Sequence, residues 1–459
     1  MNRVTNRTWL MGLFILVLVG GMVFFLSEYW MNADQWVSAP GSPHVYSSTN
    51  IGVGTILDRS GKTLLDMAGE RTYSDSTSTR KSTLHWLGDR EGKISAAAVS
   101  HYAGAMVGFD RINGIYNADT GAGTAELTLS SRVQNAALEA MKGRKGTVAV
   151  YNYKTGEILC ALTTPNYDPN DVPDIEGDTS GKWEGAYLNR FTQSTYVPGS
   201  IYKVVTTAAA LDCVEGIEDM TFTCTGTYEY QIGSDVSCEK AHGTKDLKGA
   251  LASSCNCCFA QITALVGKEN MEKYVQQFQV TDSVSFDGVT TAKGNYDVSE
   301  AIPVELAWSG IGQYTDLINP CAYLRFVGAI ANGGVGVEPY LVSEIQVGEE
   351  TTYRARTEKT DRLLPDKVAN TLQSYMRNNV EAVYGAGNFP GLTVCGKSGT
   401  SQLGGEKASN AMFTGFVQDE QYPLAFICVV EGGGYGSSTC VPILAKVLGA
   451  CKGVLDGET

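Results

Sequence analysis

The stretch that most constrains this 459-residue chain is residues 9–26, which carry no charged or strongly polar side chain. As a helix rising 1.5 Å per residue, the run is ~27 Å long, about the thickness of a hydrocarbon core. Arg3 and Arg7 precede it and Glu28 and Asp34 follow. The positive-inside rule therefore leaves residues 1–7 in the cytoplasm and everything after the span outside it. Tyr29 and Trp30 suit the far interface. The run exceeds the usual apolar core of a signal peptide, and no convincing small-x-small cleavage site follows it. An uncleaved anchor over residues 8–27 is expected.

Beyond the anchor the chain is globular in composition, with 43% hydrophobic and 18% charged residues, and is long enough for two domains. Its net charge of -14 argues against a nucleic-acid partner, which needs a basic footprint. Residues 32–50, with Pro40, Gly41 and Pro43, read as loop. Residues 54–65 read as strand, turn, strand around Ser60-Gly61. Residues 28–145 together read as a small α+β pedestal. At Lys145 the texture changes: residues 146–152 and 157–163 form a hairpin across Tyr153-Lys154-Thr155-Gly156, and residues 411–417 and 423–430 form another. Helical runs are expected at 203–211, 247–265, 322–331, 369–383 and 441–450. Strands at both ends with helices between predict one α+β domain over 146–459, whose first and last strands share an antiparallel sheet.

Three short motifs carry chemistry. Ser200-Ile201-Tyr202-Lys203 follows Pro198-Gly199 and opens an apolar run. If that run is helical, Ser200 and Lys203 share a face. A serine is a weak nucleophile until a base takes its proton, and a desolvated lysine can be that base. The first turn of a helix also aims free backbone N–H groups at an oxyanion formed beside Ser200. Ser254-Cys255-Asn256 and Lys397-Ser398-Gly399-Thr400 lie downstream. Ser-x-x-Lys, Ser-x-Asn and Lys-Ser/Thr-Gly in that order form the signature of penicillin-binding proteins and serine β-lactamases.

With these motifs the chain resembles the class B penicillin-binding proteins, monofunctional peptidoglycan transpeptidases. The likeness extends to residues 146–170, Asn189-Arg190, Asn332-Gly333-Gly334 and the closing hairpin. It departs from the family at Val53, Gly312-Gln313-Tyr314 and Asn319-Pro320. The resemblance implies a transpeptidase domain shared with the serine β-lactamases. It implies that Ser200 attacks the penultimate D-Ala of a stem peptide, that Lys203 takes its proton, and that Ser254 relays a proton to the leaving amine. Asn256 would hold substrate and Lys203, and Lys397 would anchor the substrate carboxylate. Ser398, Gly399 and Thr400 would line the substrate strand, with backbone N–H groups of Ser200 and Thr400 as the oxyanion hole. Stem peptides, β-lactams, the cytoplasmic membrane and other membrane proteins of the wall-building complex are the implied partners, and no cofactor is implied.

The cysteines are too few for a disulfide scaffold. Cys224 and Cys238 flank a β-like stretch with a turn at Gly233-Ser234-Asp235 and could close a short disulfide loop. Cys255, Cys257 and Cys258 read as small buried helix residues, because no second ligand pair follows at zinc-site spacing; no metal is expected. Residues 391–398 match a phosphate-loop pattern, but Leu392-Thr393-Val394-Cys395 reads as strand rather than flexible loop. The histidines, His44, His85, His101 and His242, accompany no Gly-x-Ser-x-Gly elbow.

Overall fold

A computed structural model describes residues 2–37, 46–47, 50–51, 54–67, 70–109, 112, 122–231, 234–402 and 408–457. Pro40, Gly41, Pro43, Val53 and Gly233 lie outside them. The first helix, Asn2–Val37, includes an apolar segment, Arg7–Ala33, whose most apolar 18-residue stretch is not covered by protein, although Ala33 at its end is buried. Leu13, Phe14, Leu16 and Phe24 are all exposed. A helix apolar on every side and uncovered matches hydrocarbon rather than water. The helix Gly436–Leu455 is also long and apolar, but Cys440, Leu444, Val447 and Leu448 are buried within the protein core.

The larger domain is built on a five-stranded antiparallel sheet. Its order is Val394–Ser401, Asn410–Val417, Leu424–Val430, Gly146–Asn152 and Ile158–Thr164. The opening and closing hairpins thus meet side by side, as the sequence pattern predicts, with Val148 opposite Cys428 and Val150 opposite Phe426. Both faces are covered, so these strands are buried at nearly every residue and read as continuous apolar runs. Alternate side chains enter separate cores. Val148 and Val150 join Val133, Leu444 and Val447, whereas Ala149 and Tyr151 join Phe326, Met412 and Ile427. The strand Val394–Ser401 is left at one edge.

A six-stranded sheet forms the second layer system. Its order is Glu350–Arg354, Val342–Val347, Thr124–Leu127, Thr55–Leu57, Thr63–Asp66 and Thr72–Tyr73. The strand-turn-strand reading of residues 54–65 matches the antiparallel pair Thr55–Leu57 and Thr63–Asp66. Two strands of this sheet, however, come from residues 342–354, well past the expected boundary at 145. The physical reason is edge pairing: Val342–Val347 covers the strand Thr124–Leu127, which would otherwise offer unpaired backbone groups. The two sheets are joined by a helix, Thr77–Leu87. From it Arg80 reaches Asp168 with two hydrogen bonds of 2.7 and 2.6 Å, and the Trp86 indole N–H donates to the Ala161 carbonyl at 2.7 Å.

The helical run expected at 247–265 is two helices, Leu247–Ala252 and Asn256–Val266. Ser254 between them has φ 52°, a left-handed conformation that side-chain-bearing residues seldom adopt. The break falls on Ser253-Ser254-Cys255-Asn256, where serine and asparagine favour caps and turns over helix interiors. It turns Ser254 out of helical register.

Asp58 locks the pedestal turn. One carboxylate oxygen accepts from Ser60 N and Oγ at 2.9 and 2.6 Å and from Lys62 N at 3.0 Å. The other accepts from Ser131 N and Oγ at 3.1 and 2.6 Å. Burial alone would raise its pKa, but the hydrogen bonds from Ser131 and Ser60 outweigh that and hold it below its ordinary value. Its stabilising share is therefore complete above the ordinary carboxylate pKa and is lost as pH falls below it. Asp58→Ala is expected to lower unfolding stability by about 2–4 kcal/mol, read by urea titration of the detergent-solubilised chain. Asp58→Asn should flatten the acid limb of stability; an unchanged limb would contradict this assignment.

Candidate active site

A short 3₁₀ turn, Gly199–Tyr202, runs directly into the helix Lys203–Cys213. Gly199 has φ +54°, and a Cβ there would stand 2.7 Å from the Thr400 carbonyl oxygen, so only glycine fits. The turn is pinned from behind: Gly199 N–H donates to the Gly312 carbonyl at 2.8 Å, and the Tyr323 hydroxyl donates to the Ile201 carbonyl at 2.7 Å. Ser200 faces a cleft while Lys203, one turn on, is fully buried.

The break at Ser254 delivers the second motif to Lys203. Lys203 Nζ lies 2.7 Å from the Ser254 carbonyl oxygen, 2.7 Å from Asn256 Oδ1, 3.0 Å from Ser200 Oγ and 3.3 Å from Ser254 Oγ. The first two are pure acceptors and each takes an N–H. A neutral amine has two N–H bonds and one lone pair, so with both donors engaged the lone pair is left for a hydroxyl. The Asn256 amide cannot reverse this, because its Nδ2 donates to the Ser237 carbonyl at 2.9 Å and so fixes Oδ1 toward Lys203.

The third motif lies on the edge strand. Lys397 is buried, with Nζ 3.0 Å from Ser254 Oγ and 2.7 Å from the Ser398 carbonyl. Ser254 Oγ thus stands between the two lysines. Ser398 N–H donates to the Tyr384 hydroxyl at 3.0 Å, away from the neighbouring strand. In a strand, N–H groups two residues apart point the same way, so Thr400 N–H also faces the open edge, where the Ser200 turn sits. At Gly399 a Cβ would come within 2.9 Å of Ile201 Cγ2 and 3.1 Å of the Pro198 carbonyl oxygen. Glycine there lets strand and turn touch. The three motifs therefore meet around one cleft of about 400 Å³, lined by Ser200, Ser254, Asn256, Ser398 and Thr400 among others.

The model of the penicillin-binding protein transpeptidase domain matches residues 146–449, more than half of the chain. The chain belongs to this family. Among curated relatives, a peptidoglycan D,D-transpeptidase, PbpA of Mycolicibacterium smegmatis, is 27% identical over 367 residues, covering 72% of each chain. Among solved structures, a D,D-transpeptidase domain from Eggerthella lenta superposes with a TM-score of 0.75 at 25% identity, covering 88% of this chain and 98% of that one. Penicillin-binding protein A of M. tuberculosis, captured as a ceftriaxone acyl-enzyme, also gives a TM-score of 0.75, at 22% identity over 87% and 98%. The class B reading and the α+β transpeptidase fold are thereby established.

Burial lowers the Lys203 pKa to about 8. Burial, reinforced by the nearby Lys203 charge, pushes Lys397 well below its ordinary value. Burial is the leading cause at both amines. Two supports escaped the sequence reading. Tyr384, whose hydroxyl lies 3.0 Å from both Ser398 N and Ser398 Oγ, comes from a π-turn after the helix Asp366–Asn379. Glu431 accepts from Arg190 Nε at 2.7 Å and from the Tyr196 hydroxyl at 2.9 Å, bracing the segment before Ser200. The phosphate-loop match fails structurally: residues 394–401 are strand and the Lys397 amine is buried. His85 is a core residue, its Nε2 2.9 Å from the Ala186 carbonyl and its pKa lowered to about 4 by burial. The Cys224–Cys238 disulfide is not formed, since both thiols are free. Cys257 and Cys258 are buried helix residues as expected, but Cys255 precedes the helix as its N-cap.

Proposed function

We propose that this chain is a monofunctional peptidoglycan D,D-transpeptidase acting through a Ser200 acyl-enzyme. The observation that carries this reading is the Lys203 amine, whose two donors are committed to Ser254 O and Asn256 Oδ1 while Ser200 Oγ lies 3.0 Å away. Lys203 takes the hydroxyl proton as Ser200 Oγ bonds to the penultimate D-Ala carbonyl carbon. The oxyanion is met by the N–H groups of Ser200 and Thr400. Ser254 passes a proton to the departing amine, the peptide bond breaks, and the terminal D-Ala leaves. The amine of a second stem peptide then attacks the ester, its proton returns through the same groups, and Ser200 is restored. Lys397 anchors the substrate carboxylate, Asn256 holds the substrate backbone, and Ser398, Gly399 and Thr400 offer a strand edge for the peptide to pair with. β-Lactams enter as mimics of the D-Ala-D-Ala terminus.

The apolar helix supports a single-pass anchor over residues 8–27, with residues 1–7 cytoplasmic and the catalytic region outside. Residues 28–145 form the pedestal, whose sheet is completed by the strands Val342–Val347 and Glu350–Arg354, and the rest of 146–459 forms the transpeptidase domain. Anchor and pedestal would dock other membrane proteins of the wall-building complex.

Two outcomes are expected. Mass mapping of the detergent-solubilised chain after penicillin treatment should find one adduct, on Ser200, and Ser200→Ala should abolish it; an adduct on another residue would sink the assignment. The second-order acylation rate should rise with pH through about 8, as Lys203 loses its proton. Lys203→Arg, permanently charged, should slow acylation by about 10²–10⁴-fold. A flat pH profile would argue against a lysine base.

A further inference from the structure

Beside the cleft, four side chains that are far apart in sequence bring their ligand atoms together. The sulfurs of Cys224, Cys238 and Cys255 and a ring nitrogen of His242 all lie within 4.8 Å of one another. We propose that these four residues hold a zinc ion, and that the ion positions the Ser254-Cys255-Asn256 motif.

The dimensions fit. Tetrahedral zinc with Zn–S near 2.3 Å and Zn–N near 2.0 Å has ligand edges of ~3.8 Å between sulfurs and ~3.5 Å between sulfur and nitrogen. Cys238 Sγ and Cys255 Sγ are 3.7 Å apart, and Cys224 Sγ and His242 Nδ1 are 3.7 Å apart. A disulfide would need ~2.05 Å. Three thiolates with one imidazole form a closed, soft donor set suited to zinc.

The fold builds this cluster from independent pieces. Cys224 ends the strand Thr221–Cys224 and pairs opposite Gly243, which puts His242 beside it at the mouth of that ribbon. Cys238 follows the hairpin of Thr227–Gln231 and Ser234–Ser237, and its N–H donates to the Gly226 carbonyl at 2.9 Å. Cys255 caps the helix Asn256–Val266. That helix start directs Cys257 N–H to Cys238 Sγ and Cys258 N–H to Cys255 Sγ, each at 3.4 Å. Such N–H groups favour negative sulfur.

The link to the motif is direct. Cys255 lies between Ser254, in its left-handed conformation, and Asn256. Cys238 follows Ser237, whose carbonyl accepts from Asn256 Nδ2. One ion would thus fasten both the residue inside the motif and the backbone that orients the Asn256 amide. The positioning role rests on the transpeptidase reading; the metal site does not.

The test uses the full-length chain purified in detergent under nitrogen. Elemental analysis should give about one zinc per chain. Reconstitution with Co²⁺ alone should give thiolate-to-metal charge transfer and the strong visible bands of tetrahedral cobalt. The double variant Cys224→Ser, Cys238→Ser should lose zinc about tenfold or more and slow penicillin acylation about 10²-fold. His242→Cys, which keeps four soft ligands, should retain both, separating metal loss from misfolding. Ser200→Ala should keep its zinc while losing acylation, so failure of the two readings can be told apart. A chain that takes up neither zinc nor cobalt would overturn the site. So would a disulfide between two of these cysteines, or zinc retained by the double variant. Zinc lost with acylation unchanged would overturn the positioning role.

Discussion

A buried amine, held among acceptors from separate segments of the chain, is the contact on which the cleft of this protein depends. Lys203 has no bulk water around it and two carbonyl-type acceptors at 2.7 Å. In water such an amine would be an ammonium ion with three donors. Here removing it from solvent lowers its pKa to about 8, and once the proton is lost the two acceptors dictate where the lone pair points. The helix Lys203–Cys213 supplies the burial, the kink at Ser254 supplies one acceptor, and the ordered Asn256 amide supplies the other. The edge strand adds a second buried lysine, Lys397, whose own protonation is disfavoured by burial and by the Lys203 charge. None of these parts produces a nucleophile alone. Their value lies in closing on the same nitrogen.

The motifs were readable because their chemistry is local. Ser200 and Lys203 are neighbours on one turn of backbone, and Lys397 to Thr400 is a run on one strand. The two hairpins could be read from alternation and turns, and their adjacency followed from strands at both ends of a domain. What could not be read was set by distant contacts. The left-handed Ser254 sits between two helical runs; Ser253-Ser254-Cys255-Asn256 weakens helix there, but the contacts of Ser254 with Lys203 and Lys397 are made across the fold. Tyr384 belongs to a π-turn with no composition signal. The cysteine cluster was out of reach of the sequence for the same reason: Cys224, Cys238, His242 and Cys255 have no short ligand-pair spacing, and only the folding of two ribbons against a helix start brings them within 4.8 Å.

The glycines of the cleft illustrate how close approach outweighs the cost of a flexible backbone. At both Gly199 and Gly399 the missing side chain is replaced by another segment's backbone within about 3 Å. An alanine at either would force the nucleophile turn away from the edge strand. The proposed oxyanion site would depend on that contact, since one N–H donor would come from each side of it.

The six-stranded sheet carries a different consequence. Its strand Thr124–Leu127 waits for Val342–Val347, made more than two hundred residues later. At cellular synthesis speeds the delay is roughly 10–40 s. Through that interval the half-built sheet presents a bare hydrogen-bonding flank, open to mispairing with any extended chain nearby. Maturation of this protein is therefore a race between its own late hairpin and foreign partners. Cutting the gene at the textural change near Lys145 would leave the leading fragment with that flank permanently open.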